Sequence, residues 1–352
     1  MRAAILGVGF MGWIHSLAYR RSETAEFVGF ASRDPTKRDG DWRGIQGNFG
    51  PPGEQFDVSD LVVCEGLDGL LEDDSIDLID VCLPPHLHVD AVTRSLRAGK
   101  RVLCEKPLAL NSADGQLMTD LAEPGQLMVG HILPLMPEFA FLVDAVSDDR
   151  FGKILAGRFQ RTIGPPDWIP DFYDPLRVGG PLIDLQVHDA HLIRMLFGMP
   201  SHATTASELR NGIPKRYETV LHFDRTSDSP EPGLGDESSG AGGPIVAVCG
   251  GVIDSPARPF THGYEVSFER ATVRFEFAAY SDGESDSIPV TVLHQDGRRE
   301  LPPMDGSDPI DAFVAEIDAA AGVVAGGPMP AALDPQLATD ALRICEMQMP
   351  AS

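Results

Sequence analysis

The chain has 352 residues, 43% hydrophobic and 23% charged, the composition of a water-soluble globular protein of roughly two domains of about 150 residues. Its 53 acidic residues against 28 basic ones give a net charge of −25. That excludes the basic face which nucleic acid or an anionic membrane requires, so an anionic ligand must be met by a few local cations and backbone N–H groups.

From the N-terminus, RAAILG (2–7), EFVGFAS (26–32), LVVCE (61–65), IDLIDVCLP (76–84), RVLCE (101–105) and QLMVGH (126–131) read as strands. Amphipathic segments such as PHLHVDAVTRSLRAG (85–99) and NSADGQLMTDLAE (111–123) separate them, the latter capped by Asn111 or Ser112. This alternation predicts a parallel sheet covered on both faces. Residues 39–56 are Gly/Pro-rich and read as an irregular insertion. Arg2 before an apolar run resembles the start of a signal peptide, but glycines break the run and no small-residue cleavage site follows. No stretch is long and apolar enough to span a membrane.

The first turn is the most informative. In GVGFMG, Gly7, Gly9 and Gly12 keep the GxGxxG spacing, directly after a strand and at the opening of the helix FMGWIHSLAYRR, which begins with Phe10 and Met11. Gly7 permits a tight turn, Gly9 lets backbone approach a pyrophosphate, and Gly12 lets helix pack on strand. The helix N-terminus stabilises the phosphates. The second strand ends in FASRDP. Where NAD would call for a carboxylate stands Ser32, followed by Arg33, with Lys37 nearby. Ser32 and Arg33 suit a 2′-phosphate, so NADP(H) is favoured over NAD(H), with Asp34 the residue that would serve NAD.

Beyond residue 150, KILAGRFQRTI (153–163), YETVLHFD (217–224), IVAVCGGVI (245–253), YEVSFE (264–269), TVRFEFA (272–278) and PVTVLH (289–294) read as strands of a mainly antiparallel sheet. Segment 226–243 has almost no apolar content and reads as disordered. Helices near 309–325 and 335–348 close the chain. The segment LIDLQVHDAHLI (182–193) puts Asp184, His188 and His191 on one face of a continuous helix. Metal ligands, a catalytic acid/base pair and satisfied core groups all fit that face. A third ligand at i+7 splays by a further turn and no motif elsewhere completes a sphere, so no metal is assigned. The five cysteines, Cys64, Cys82, Cys104, Cys249 and Cys345, are odd in number, widely spaced and without a CxxC pair, as in a reduced, cytoplasmic protein.

With CLPPHLH (82–88), VLCEKPLAL (102–110) and GGPLIDLQVHDAHLIRMLFG (179–198) in register behind the glycine turn, the chain resembles the glucose–fructose oxidoreductase / inositol dehydrogenase / MocA-type family over nearly its whole length. The resemblance implies an N-terminal Rossmann domain (1–130) and a substrate-binding and oligomerisation α/β domain built on a large open sheet (131–330). Residues 331–352 form a C-terminal helix that packs back on the first domain. It implies that Lys106, after Glu105, stands beside the nicotinamide and the substrate oxygen, and that Asp184 and His188 are catalytic. Leu83, Pro84, Pro85 and His88 then lie along the ribose and nicotinamide. The sheet implies a homo-oligomer, a dimer or tetramer. Leu83, Pro134 and His191 depart from residues frequent in the family and bear on the substrate's identity.

Hydride exchange at a secondary alcohol needs a base for the hydroxyl proton and a cation at the developing oxyanion. His188 supplies the base, Lys106 the cation, and Asp184 holds the substrate or orients the histidine. His131, Trp168 and His191 are candidate substrate contacts, with Tyr173 a possible pocket wall. The expected function is an NAD(P)-dependent oxidoreductase on a sugar, cyclitol or related polyol. The alternatives are a non-catalytic dinucleotide sensor of the same fold and a redox-neutral sugar-modifying enzyme with retained NAD(H).

Overall fold

A computed structural model describes residues 1–47, 49–167, 169, 171–224, 243–304 and 308–350. The chain divides into two compact units. One comprises Met1–Phe139, Leu176–Val178 and a C-terminal part ending at Leu342; the other comprises Ala140–Pro175, Gly179–Met304 and the chain from Arg343.

The first unit follows the predicted alternation: β1 (Arg2–Leu6), α1 (Phe10–Arg21), β2 (Glu26–Ala31), α2 (Pro35–Arg38), β3 (Val62–Cys64), α3 (Leu67–Leu71), β4 (Leu78–Val81), α4 (His88–Arg97), β5 (Arg101–Glu105), α5 (Ser112–Leu121) and β6 (Leu127–Gly130). The six strands are parallel in the order β3-β2-β1-β4-β5-β6. Strand order reverses between β1 and β4, so a crevice opens at the carboxyl ends of the strands there. β4 is buried at all four positions, as a parallel strand covered on both faces must be.

Two distant segments complete this unit's core. Among its described residues the 39–56 insertion forms one isolated bridge, Asp41 to Gln55, yet it buries Trp42, Ile45 and Phe56. Trp42 meets the edge of Trp13 at 6.0 Å and stacks on Phe56 at 4.7 Å. Helix α9 (Ile310–Val324) packs on α1, with Phe313 and Ile317 in the same core. The sequence reading places this helix in the second domain; the structure differs because its apolar stripe has its partner in α1, nearly the whole chain away. Arg21, which pairs with Asp308 and Asp311, fixes its start. The early part of α10 (Pro335–Glu346) packs on α5, where Thr339 Oγ1 lies 3.1 Å from Thr119 Oγ1.

The second unit takes most of α6 (Pro137–Ser147) and then β7 (Ile154–Ile163), α7 (Gly180–Asp184), α8 (Val187–Phe197), β8 (His202–Arg210), β9 (Ile213–His222), β10 (Ile245–Val252), β11 (Phe260–Phe268), β12 (Ala271–Ala279), β13 (Ser285–His294) and β14 (Arg299–Glu300). The strands form one sheet in the order β14-β13-β12-β11-β7-β10-β9-β8. Only β7 and β10 pair in parallel; the other pairs are antiparallel. On one face Phe159 and Tyr217 are buried. On the other, Arg158, Glu265 and Arg274 stand side by side in the register, a cross-strand row of alternating charge. Ile245 and Leu293, on that same face, are exposed. Strand β8 has no apolar alternation and is mostly exposed, which is why the sequence reading passes over it. Predicted segment 226–243 lies, apart from Gly243, outside the described residues. No helix among the described residues is long and apolar enough to cross a membrane.

Candidate functional site

The glycine turn joins β1 to α1 as the spacing requires. Gly7 has φ of +105°, a conformation that side-chain-bearing residues rarely adopt. A Cβ on Gly12 would lie 2.2 Å from the Gly7 carbonyl oxygen, whereas a Cβ on Gly9 would meet nothing within 4 Å. The backbone is thus bare and open at Gly9 and closely packed at Gly12. Helix α1 has neither a side-chain cap nor an acidic residue in its first turn; α2 and α5 are capped by Asp34 and Asn111. The first-turn amides of α1 are therefore left for an anionic ligand. Phe10 turns instead to the insertion, its ring 5.0 Å from that of Phe49, and Met11 packs against the apolar core.

Above this turn lies a cavity of about 490 Å³, lined in part by Gly7, Gly9, Ser32, Arg33, Lys37, Leu83 and Pro84. At the β2 end Ser32 is buried and Arg33 exposed. Lys37 Nζ donates to the Val8 carbonyl at 2.6 Å, so its charge sits over the glycine turn. The Asp34 carboxylate accepts from the Thr36 amide at 2.9 Å as the cap of α2. Asp34 lines the cavity as well, with this one oxygen engaged by its own helix.

The ends of β4, β5 and β6 follow in the sheet order, and of these Leu83 and Pro84, after β4, line the cavity. Pro85 opens the 3₁₀ turn Pro85–Leu87. His88 is fully buried; Nδ1 lies 2.9 Å from the Pro107 carbonyl and Nε2 2.7 Å from the Leu83 carbonyl. Burial lowers its pKa while both carbonyls act to raise it. The net shift is downward, so the ring, packed between the Leu83 loop and the turn after Lys106, can donate to only one of the two carbonyls at a time. Glu105 is buried at the end of β5; Oε2 accepts from the Lys106 amide at 3.0 Å and Oε1 lies 3.0 Å from His15 Nε2. Lys106 itself is half-buried. His131 follows β6 and is buried.

Asp184, His188 and His191 all belong to the second unit. They do not share a continuous helix. Asp184 ends α7, and the Gln186 amide reaches five residues back to the Pro181 carbonyl at 2.9 Å before α8 begins. Gln186 holds this break: its buried side-chain oxygen accepts from Gln348 Nε2 at 2.9 Å. The expected i, i+4, i+7 face is therefore corrected to two short helices. Asp184 and His188 are half-buried and His191 fully buried. Burial, helped by Arg194, lowers the His191 pKa to about 3, so its ring is neutral at physiological pH. Tyr173 is half-buried, with Arg210 over its ring at 4.6 Å. Trp168 lies outside the described residues.

Residues 1–131 match the family described as oxidoreductase family, NAD-binding Rossmann fold. Over 267 residues the chain is 29% identical to dTDP-3,4-didehydro-2,6-dideoxy-alpha-D-glucose 3-reductase of Streptomyces violaceoruber, covering 74% of this chain and 72% of that one. It is 24% identical over 342 residues to inositol 2-dehydrogenase of Rhizobium meliloti (strain 1021), covering 93% and 92%. A solved structure of levoglucosan dehydrogenase in complex with NADH and levoglucosan shares the fold, with a TM-score of 0.72 at 17% identity and coverage of 99% and 96%. Over its first 131 residues the chain thus matches the model of the glucose–fructose oxidoreductase / inositol dehydrogenase / MocA family.

In this oxidoreductase, sequence reasoning missed part of the crevice wall. Glu65 and Leu67 line it from the end of β3, and Asp90 and Arg94 from α4. The signal was available: every strand end on that edge of the sheet faces the crevice, and Asp90 and Arg94 are spaced i, i+4. It also missed Asp189, between His188 and Ala190. Its buried carboxylate takes both Arg161 Nε at 2.7 Å and Nη2 at 2.9 Å, which clamps α8 to β7.

Proposed function

We propose that the chain is an NADP(H)-dependent oxidoreductase acting on a secondary alcohol or carbonyl of a sugar, cyclitol or related polyol. The observation that carries the reading is the switch-point crevice, open over Gly9 and bounded at the ribose end by Ser32, Arg33 and Lys37, with one oxygen of the neighbouring Asp34 engaged as the cap of α2. Those residues fit a dinucleotide carrying a 2′-phosphate: bare backbone and helix amides for the pyrophosphate, a hydroxyl and a guanidinium for the extra phosphate. When bound, the nicotinamide supplies the hydride chemistry. Lys106 polarises the substrate oxygen, His188 exchanges the hydroxyl proton, and Asp184 holds the substrate. An imidazole ordinarily titrates near neutrality and so suits that exchange. The neutral His191 contributes shape and hydrogen bonding, and no metal is required.

The names of the relatives support a sugar-like substrate. The outer face of the second unit's sheet, with its alternating charges and exposed Ile245 and Leu293, is the proposed homo-oligomer contact. Five free thiols accord with a reducing, cytoplasmic setting.

The test pairs a fluorescence titration of NADPH against NADH with a sugar and polyol oxidation screen. NADPH is expected to bind at least about tenfold tighter, the worth of one charge-assisted hydrogen bond. With a substrate found, Lys106→Met and His188→Asn should each slow single-turnover hydride transfer about a hundredfold or more. Equal affinity for the two dinucleotides, or undiminished transfer in both variants, refutes the corresponding part of the reading.

A further inference from the structure

Within the first unit lies a buried cluster of ionisable groups that the proposed chemistry leaves unused. His15, on α1, has Nδ1 2.8 Å from Asp80 Oδ2 and Nε2 3.0 Å from Glu105 Oε1. Tyr19 donates to the same Asp80 oxygen at 3.1 Å, and the Cys82 thiol to the other at 3.5 Å. Glu316, on α9, brings a carboxyl oxygen to 4.0 Å from His15 Nε2. It fits there because β6 ends in Gly130, where a Cβ would stand 3.1 Å from that oxygen. The Cys104 thiol is buried alongside. The Phe313 ring closes the cluster 5.6 Å from the imidazole.

Both ring nitrogens of His15 face carboxylate oxygens, and only a doubly protonated ring can donate to both. A neutral ring would set a lone pair against one of the acids. Burial is the largest single effect and opposes the positive charge, but Asp80 and Cys82 together raise the His15 pKa well above 6.5. Burial also raises the Glu316 pKa to about 8, against the pull of His15, so Glu316 is a neutral acid at pH 7. His15, Asp80 and Cys82 stand close enough to be read as a metal trio. Burial keeps the Cys82 thiol protonated, however, and Nδ1 is already at hydrogen-bond distance from Asp80. Hydrogen bonding accounts for the cluster without an ion.

The link that matters runs through Glu105. One of its oxygens meets His15 and the other accepts the amide of Lys106. We infer that His15, acting through Glu105, is a positioning residue that fixes the backbone of Lys106 at the end of β5. The inference rests on the reading of Lys106 as the polarising group.

Two near-isosteric variants separate the two halves of the ring. His15→Asn keeps a donor near Nδ1, toward Asp80, and loses the one toward Glu105. His15→Gln keeps the donor toward Glu105 and loses the other. By hydrogen exchange, the Lys106 amide should open about tenfold faster in His15→Asn than in the parent, with a much smaller change in His15→Gln. Single-turnover hydride transfer should fall about tenfold or more in His15→Asn with KM changed less than about threefold, and at least about fivefold less in His15→Gln. A merely structural role damages both variants alike, so equal exchange and equal rates in the two overturn the inference. Should neither variant fold, the ¹⁵N resonances of His15 in the parent protein decide. Nε2 is expected to carry a proton at pH 7.5, and a ring without a proton on Nε2 overturns the inference. If the parent oxidises no polyol, the functional reading fails, while the exchange measurement still tests the His15 link.

Discussion

His15 and His191 are both fully buried histidines on helices, one in each unit, yet their surroundings drive them in opposite directions. Burial lowers the pKa of each. At His15 two carboxylates lie at hydrogen-bond distance, and Asp80 together with Cys82 reverses the effect of burial, raising the pKa well above 6.5. At His191 the neighbouring charge is Arg194, which adds to the effect of burial and takes the pKa to about 3. Burial alone does not set a histidine's charge; the sign of its neighbours does. The first unit therefore stores a cation inside its core and the second a neutral ring.

The sharpest way to break this comparison is to delete each ring. His15→Leu leaves Asp80 and Glu105 buried without their shared cation, and should cost about 3–5 kcal/mol in urea unfolding monitored at pH 7. A loss below about 1 kcal/mol would mean that the two acids are not held by an imidazolium.

The pH dependence is expected to differ in sign as well. His15 and Glu316 hold protons in the folded state that the unfolded chain releases. Their contribution is complete below the unfolded pKa values and is lost as pH rises, for Glu316 between about 4.5 and about 8. His191 is the reverse. The unfolded chain binds a proton below 6.5 that the folded ring refuses until about 3, so stability falls as pH drops through that window. Each group contributes a slope of at most about 1.4 kcal/mol per pH unit. Glu316→Gln should flatten the alkaline decline, and His191→Leu the acid one, in melting curves taken from pH 4 to 9. Unchanged limbs in both variants would remove the comparison's electrostatic basis. The smallest effect is His191→Leu at pH 8, where a neutral ring is exchanged for an apolar side chain. There a loss of only about 1–2 kcal/mol is expected in the same urea titration.

How much of this was legible beforehand depends on distance along the chain. Gly7, Gly9 and Gly12 act within one turn, and the six strands of the first sheet are short, mostly apolar runs, so both are read directly. The Ser32–Arg33 end of β2 is local too. His15 is invisible as a site because its partners lie 65 and 90 residues away; on its own helix nothing sets it apart from neighbours such as Ser16 and Tyr19. α9 was placed with the wrong unit for the same reason: an apolar stripe does not name the surface it will cover. The Asp184–His188 spacing was read as one helix because nothing local signals the break at Gln186, whose partner Gln348 comes from the end of the chain. Strand β8 was lost because an exposed edge has no burial pattern to display.

The Trp13–Trp42 contact gives the protein an optical handle. Both indoles are buried, edge to face, in the first unit, and the chain has only three tryptophans. Replacing Trp168 with Phe would leave an emission signal that comes from the first unit alone. Followed against far-ultraviolet dichroism of the whole chain, that signal would reveal whether the two units melt together or apart.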